Sequence, residues 1–150
     1  MSERDRFTPQ EWRTLQFAPF WMLSAIVGAY RRFDEREYQV FGRCLEVAAM
    51  AGGRLAREVV GSVVAERDRL REAYGSDQRT IGVGLGEVAA VLGKAADDEA
   101  AGFKGMLVRE IGEGVARARG RFGSEMSEED ANRLTLAAQL LYFDPDSDQA

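Results

Sequence analysis

The chain contains no histidine, one cysteine and three prolines. Without histidine it lacks the commonest general base at neutral pH and the commonest zinc ligand. Ser-His-Asp and Cys-His machinery, zinc fingers and helical His-x-x-x-His metal sites are therefore excluded within it. Any metal site must be built from oxygen ligands and favour hard cations. The single Cys44 excludes an intrachain disulfide, and its place inside a helical pattern marks a small buried apolar residue rather than a nucleophile. A membrane-spanning run is also missing: the apolar stretch Phe17–Ala29 has 13 residues, short of the ~20 needed to cross a bilayer as a helix, so it belongs to a core and no stable membrane insertion is expected. Near the start, Glu11 and Arg13 interrupt the place where a secretory signal would be apolar, and the expected location is cytoplasmic. An excess of basic charge is absent too. The net charge is −5, and from Ser124 to Ala150 seven acids face Arg133 alone. No nucleic-acid partner is expected, because phosphates demand a basic face.

What remains is helical. A length of 150 residues suits one domain, placed at residues 1–143 and followed by a frayed acidic tail at 144–150. Phe7-Thr8-Pro9-Gln10-Glu11-Trp12 combines a hydroxyl cap, proline at the first helical position, glutamate at the third, and a Phe7–Trp12 hydrophobic staple. Pro19 predicts a kink or break, with a second segment running to about Ala29 as a central buried helix, because Ser24 is its only polar residue. Asp34 and Glu37 open a helix carrying Tyr38, Phe41, Leu45, Ala48 and Ala49 and ending at Gly52-Gly53. Further helices are expected over Arg54–Tyr74, over Gln78–Ala96, from Asp97 to near Gly120, and from Ser127 through Leu141. Gly82, Gly84, Gly86 and Gly93 weaken the Gln78–Ala96 helix by about 1 kcal/mol each relative to alanine, and close approach of neighbouring helices explains them better than a phosphate loop, since no strand precedes them. No alternating strand pattern occurs. The fold class is all-α, a compact bundle of about six to seven helices.

Two acidic helix starts correspond. Phe33-Asp34-Glu35-Arg36-Glu37 aligns with Met126-Ser127-Glu128-Glu129-Asp130, each having an apolar residue, a capping oxygen and a carboxylate at the third helical position. Phe41, Leu45 and Ala48 then match Leu134, Ala138 and Leu141. The segment Phe7–Trp12 through Leu15, Ala18-Pro19-Phe20-Trp21 and Ala25–Ala29, followed by Phe33-Asp34-x-x-Glu37, resembles the TerB-like tellurite-resistance family over the first ~50 residues, with a second match at Met126–Leu141. The resemblance implies an all-helical bacterial domain of two hairpins related by a pseudo-two-fold, with acidic clusters that bind divalent metal. The family turn reads Asp-Gly-x-Ile-Asp-x-x-Glu. Its second acid falls on Asp34 and its glutamate on Glu37; in the second copy these places hold Ser127 and Asp130. The leading Asp-Gly pair is replaced by Tyr30-Arg31 and by Gly123-Ser124, which leaves each copy short of the six to eight oxygens calcium takes.

Three roles compete for Asp34 and Glu37. Helix capping with a salt bridge to Arg31 or Arg32 comes first. A weak or lost divalent-cation site shared with Ser127, Glu129 or Asp130 comes second, with an ion such as calcium as the sole cofactor to consider. Catalysis comes last, for no nucleophile or cofactor motif accompanies the acids. The expectation is a non-enzymatic, TerB-like interaction or stress-response domain with a degenerate acidic site, a protein partner of unspecified identity and homo-oligomerisation left open. The alternative is a functional metal sensor or small hydrolytic enzyme using Asp34, Glu37, Glu129 and Asp130. Membrane association through exposed Phe17, Phe20 and Trp21 is a third, weaker course.

Overall fold

The computed structural model describes residues 2–28, 33–120 and 125–144. A short 3-10 turn, Glu3–Arg6, leads into α1 (Pro9–Val27), α2 (Glu35–Ala48), α3 (Arg54–Ala65), α4 (Arg67–Ser76), α5 (Ile81–Leu92), α6 (Asp97–Met106), a π-helical turn (Leu107–Glu113), α7 (Gly114–Arg119) and α8 (Glu128–Leu140). No strand occurs among the described residues. The fold is an all-α bundle, and no described helix is long and apolar enough to cross a membrane.

Helix α1 is the pillar. It packs against α3, α4, α5, α7, α8 and the π turn, and from Leu15 to Val27 every side chain except Ala25 is buried. A helix apolar on all sides needs neighbours on all sides, and the rest of the chain supplies them. Phe17, Phe20 and Trp21 are spent in this core, which removes the aromatics on which membrane association depended. Tyr74 sits at the centre, its ring 5.3 Å from Phe20, 5.6 Å from Phe17, 6.0 Å from Trp21 and 6.4 Å from Phe33. Ser24, the lone polar residue of the run, shares a 2.7 Å hydrogen bond with the Tyr74 hydroxyl, so neither buried group is orphaned.

The start of α1 follows the sequence expectation: Glu11 N–H donates to Thr8 Oγ1 at 3.1 Å, Thr8 N–H donates to Glu11 Oε1 at 2.8 Å, and the Phe7 and Trp12 rings lie 6.1 Å apart. Three other expectations are corrected. Of the kink or break expected at Pro19, the break and the separate second segment do not occur: α1 runs through it as one helix. Proline forfeits one ladder bond, and packing against helices on all sides outweighs that loss. Arg54–Tyr74 is two helices, because the backbone leaves helical geometry at Glu66 (φ −124°, ψ 29°) and re-aims α4 so that Leu70 and Tyr74 enter the core. The Asp97–Gly120 helix contains the π turn, whose wider winding buries Leu107, Val108, Ile111 and Gly112 together. Gly112 permits this: a Cβ there would lie 2.5 Å from Leu134 Cδ1 and 3.0 Å from Met22 Sδ.

Some helix ends are capped from afar. Glu99 of α6 accepts from Leu55 N–H at 3.0 Å and from Arg54 N–H at 3.3 Å, covering the exposed donors of α3. Gly53 makes room for it, since a Cβ there would stand 2.6 Å from Glu99 Oε2. The Gly82–Gly86 stretch is helical, within α5. Of its glycines, Gly84 lies hard against the Trp21 indole, while nothing lies within 4 Å of the place a Gly86 side chain would take. The expected tail at 144–150 lies outside the described residues except for Asp144, which is exposed.

Candidate functional site

Asp34 and Ser127 each precede a helix with extended backbone, and each turns its side-chain oxygen onto the third helical N–H. Glu37 N–H donates to Asp34 Oδ1 at 2.7 Å and Asp34 N–H donates to Glu37 Oε1 at 3.0 Å, a reciprocal capping box. At the second start, Asp130 N–H donates to Ser127 Oγ at 3.0 Å. Both turns are therefore N-caps first, as their residue types dictate.

The third-position carboxylates meet at one guanidinium. Arg119, in the last turn of α7, donates from Nη1 to Glu37 Oε2 at 2.8 Å and from Nε to Asp130 Oδ2 at 3.1 Å. Asp130 is 3% exposed, so its charge depends on these partners rather than on water. Its other oxygen faces Arg133 Nη1 at 3.6 Å, and Arg133 Nη2 reaches Glu129 Oε1 at 2.6 Å. Arg133 also donates to the carbonyl of Ile26 at 3.1 Å, placing a cation at the C-terminus of α1, where the helix dipole favours it. Gly28 ends that helix in the left-handed region (φ 68°), and a Cβ there would lie 3.0 Å from the Arg133 guanidinium. A chain of charge thus runs Glu37, Arg119, Asp130, Arg133, Glu129, tying α2, α7, α8 and the end of α1 into one unit.

Of the five residues expected at a metal, Glu37, Glu129 and Asp130 are brought into this chain of charge. Asp34 and Ser127 serve the backbone instead. A divalent ion does not fit the arrangement as it stands. Both oxygens of Glu37 are committed, one to a backbone N–H and one to Arg119, and Asp130 faces an arginine on each oxygen. Among the described residues no three acidic or cysteine side chains converge as metal ligands. Tyr30-Arg31, Gly123-Ser124 and the expected salt bridge to Arg31 or Arg32 lie outside the described residues.

An open cleft of about 460 Å³ adjoins the first turn, lined by Asp34, Arg36, Glu37, Val40, Val115, Ala118, Arg119 and Gly120. A larger opening of about 510 Å³ lies at the α3–α4 junction and contains neither acidic turn. Cys44 faces Gly114, whose missing side chain leaves room for Sγ. Burial, only partly offset by Arg43, pushes its thiol above the ordinary value, so it stays protonated at neutral pH and is not activated for attack. Glu110, beside it in a cleft with Arg43, Val47 and Arg109, is raised by burial foremost, with repulsion from Glu113 adding to the shift.

Sequence reasoning missed Arg119 altogether and saw Arg133 only as a charge. The available signal was Arg117 and Arg119 in the last turn of a helix just upstream of an acidic start, where cations complement exposed carbonyls. Which of the two arginines reaches the carboxylates depends on the π turn, and that is not visible in the residue pattern. Comparison of the chain with family models, curated proteins and solved structures found no match.

Proposed function

We propose that this chain is a non-enzymatic helical interaction module, a degenerate relative of the TerB-like stress-response domains, whose acidic turns no longer take up a divalent ion. The reading is supported by one observation above others: the carboxylates that the resemblance would assign to a metal are joined to each other through Arg119. In this reading the two acidic starts are counterparts in a pair of hairpins related by a pseudo-two-fold, and the bacterial cytoplasm is where the module works. Its acids act as caps and ion-pair partners, and its binding partner is another protein.

Calorimetric titration of the intact chain with calcium, magnesium and manganese tests the degenerate site. No heat of binding at micromolar concentrations is expected; micromolar affinity that disappears in the Asp34→Ala/Glu37→Ala variant would falsify it. Affinity capture from a bacterial lysate, followed by reconstitution with purified candidates, tests the interaction role. A measurable hydrolytic turnover abolished by Glu37→Gln would replace it with an enzymatic one.

A further inference from the structure

We infer that Arg119 is itself the cation of this site, a tethered guanidinium that occupies the place between two facing carboxylates which a free divalent ion would otherwise be able to fill. The inference stands on the geometry and goes beyond the proposed function, because it also says what the site becomes once Arg119 is gone. Glu37 Oε2 and Asp130 Oδ2 belong to different helices and sit on separate nitrogens of one guanidinium, at 2.8 and 3.1 Å. Asp130 is buried, and Glu129 is held on the same side of α8 by Arg133. Removing Arg119 leaves a buried carboxylate facing a second carboxylate, with a third carboxylate two steps away along the ion-pair chain. Arg133 stays 3.6 Å from the other Asp130 oxygen, but the Glu37 and Asp130 oxygens that share Arg119 lose their common cation, and a hard cation, whose preferred ligands are carboxylate oxygens, can take its place. A cation bonded to the backbone differs from a free one in a specific respect: it cannot dissociate. The wild-type chain therefore holds α2, α7 and α8 together independently of the divalent-ion supply, whereas the chain without Arg119 becomes ion-dependent.

The test compares thermal unfolding of the full chain in EDTA and in millimolar calcium or manganese, with the metal chloride alone as the probe. Wild-type protein is expected to melt at the same temperature in all three. Arg119→Met, which keeps an unbranched apolar stem but loses the guanidinium and its charge, is expected to melt lower in EDTA, to recover part of the loss with metal, and to bind manganese at least tenfold more tightly than wild type. Glu37→Gln in the Arg119→Met background is expected to abolish the recovery. An equal metal-induced shift in wild type and Arg119→Met, or no metal response in Arg119→Met, overturns the inference. The second of these outcomes leaves the proposed function standing, and micromolar metal binding by wild type removes both. Should Arg119→Met fail to fold, a double-mutant cycle of Glu37→Gln and Asp130→Asn in the otherwise native chain decides the matter. Shared use of Arg119 requires non-additive losses, and strict additivity refutes it.

Discussion

Replacing Gly84 by alanine sets two effects of opposite sign against each other. Alanine in a helix interior is favoured over glycine by ~1 kcal/mol. Against this, a Cβ at Gly84 would lie 2.5 Å from Trp21 Cδ2 and 2.6 Å from Cζ2, distances that no pair of non-bonded carbons sustains. The neighbour that must yield is a fully buried indole, with Phe17 edge-on at 5.7 Å, Tyr74 at 6.0 Å and the Arg79 guanidinium stacked at 4.7 Å. A ring fenced in this way cannot step aside, so the cost belongs at the upper end of the ~1–3 kcal/mol typical of overpacked cores. The net expectation is a loss of about 2 kcal/mol once the helical gain is subtracted. Two residues on, Gly86→Ala meets nothing within 4 Å and keeps the helical gain of up to ~1 kcal/mol. The pair should therefore separate by about 3 kcal/mol, which in a domain of this length corresponds to roughly 6–12 °C in Tm. Urea denaturation followed by tryptophan fluorescence, with midpoints compared at a common slope, measures it. If both variants shift in the same direction, or Gly84→Ala is as stable as the parent, the close packing of α5 on α1 does not limit this core.

Two further outcomes are expected. Glu99→Ala removes the acceptor for the N–H groups of Arg54 and Leu55 and should lower stability by ~1–2 kcal/mol, as loss of an N-cap does, while Glu99→Gln, which keeps an acceptor oxygen, loses less; equal losses in the two variants would show that the carboxylate acts by packing alone. Glu110 carries a pKa raised above its ordinary 4.5 by burial, so the folded state holds its proton more tightly than the unfolded chain does. The resulting penalty is present above the folded value and vanishes as pH falls below 4.5, so Glu110→Gln should be more stable than the parent at neutral pH and lose that advantage on acidification; urea midpoints at neutral and acidic pH read it, and a pH-independent difference contradicts it.

The parts of the fold that were legible in the sequence are those whose physics is local. Thr8 with Glu11, Asp34 with Glu37 and Ser127 with Asp130 each lie three residues apart, and their caps form from that spacing alone. Helix faces were readable for the same reason, since Leu55, Val59 and Val63 recur at helical period wherever the chain packs. Illegible features needed distant partners. Pro19 passes through α1 because surrounding helices hold it, and Glu66 breaks the helix because Tyr74 has a core to reach. The candidate site divides the same way: its capping oxygens were evident, but the guanidinium between Glu37 and Asp130 comes from 82 residues beyond one and 11 before the other.

The π turn has a bearing on that guanidinium. A π turn is one residue more than an α-helix would use, so the rod from Asp97 to Arg119 is wound in two phases. The first phase presents Phe103 and Met106 to the core where α6 meets α3, and the second presents Val115 and Ala116 where α7 meets α2 and α1. Winding the same residues as a uniform α-helix, without the wide turn between Leu107 and Glu113, would rotate everything after it by ~100° about the axis. Val115 would leave the core and Arg119 would swing away from both carboxylates. The extra residue in mid-helix therefore acts as a phase setting: it determines that Arg119, two places beyond the solvent-side Arg117, is the arginine that points at Glu37 and Asp130.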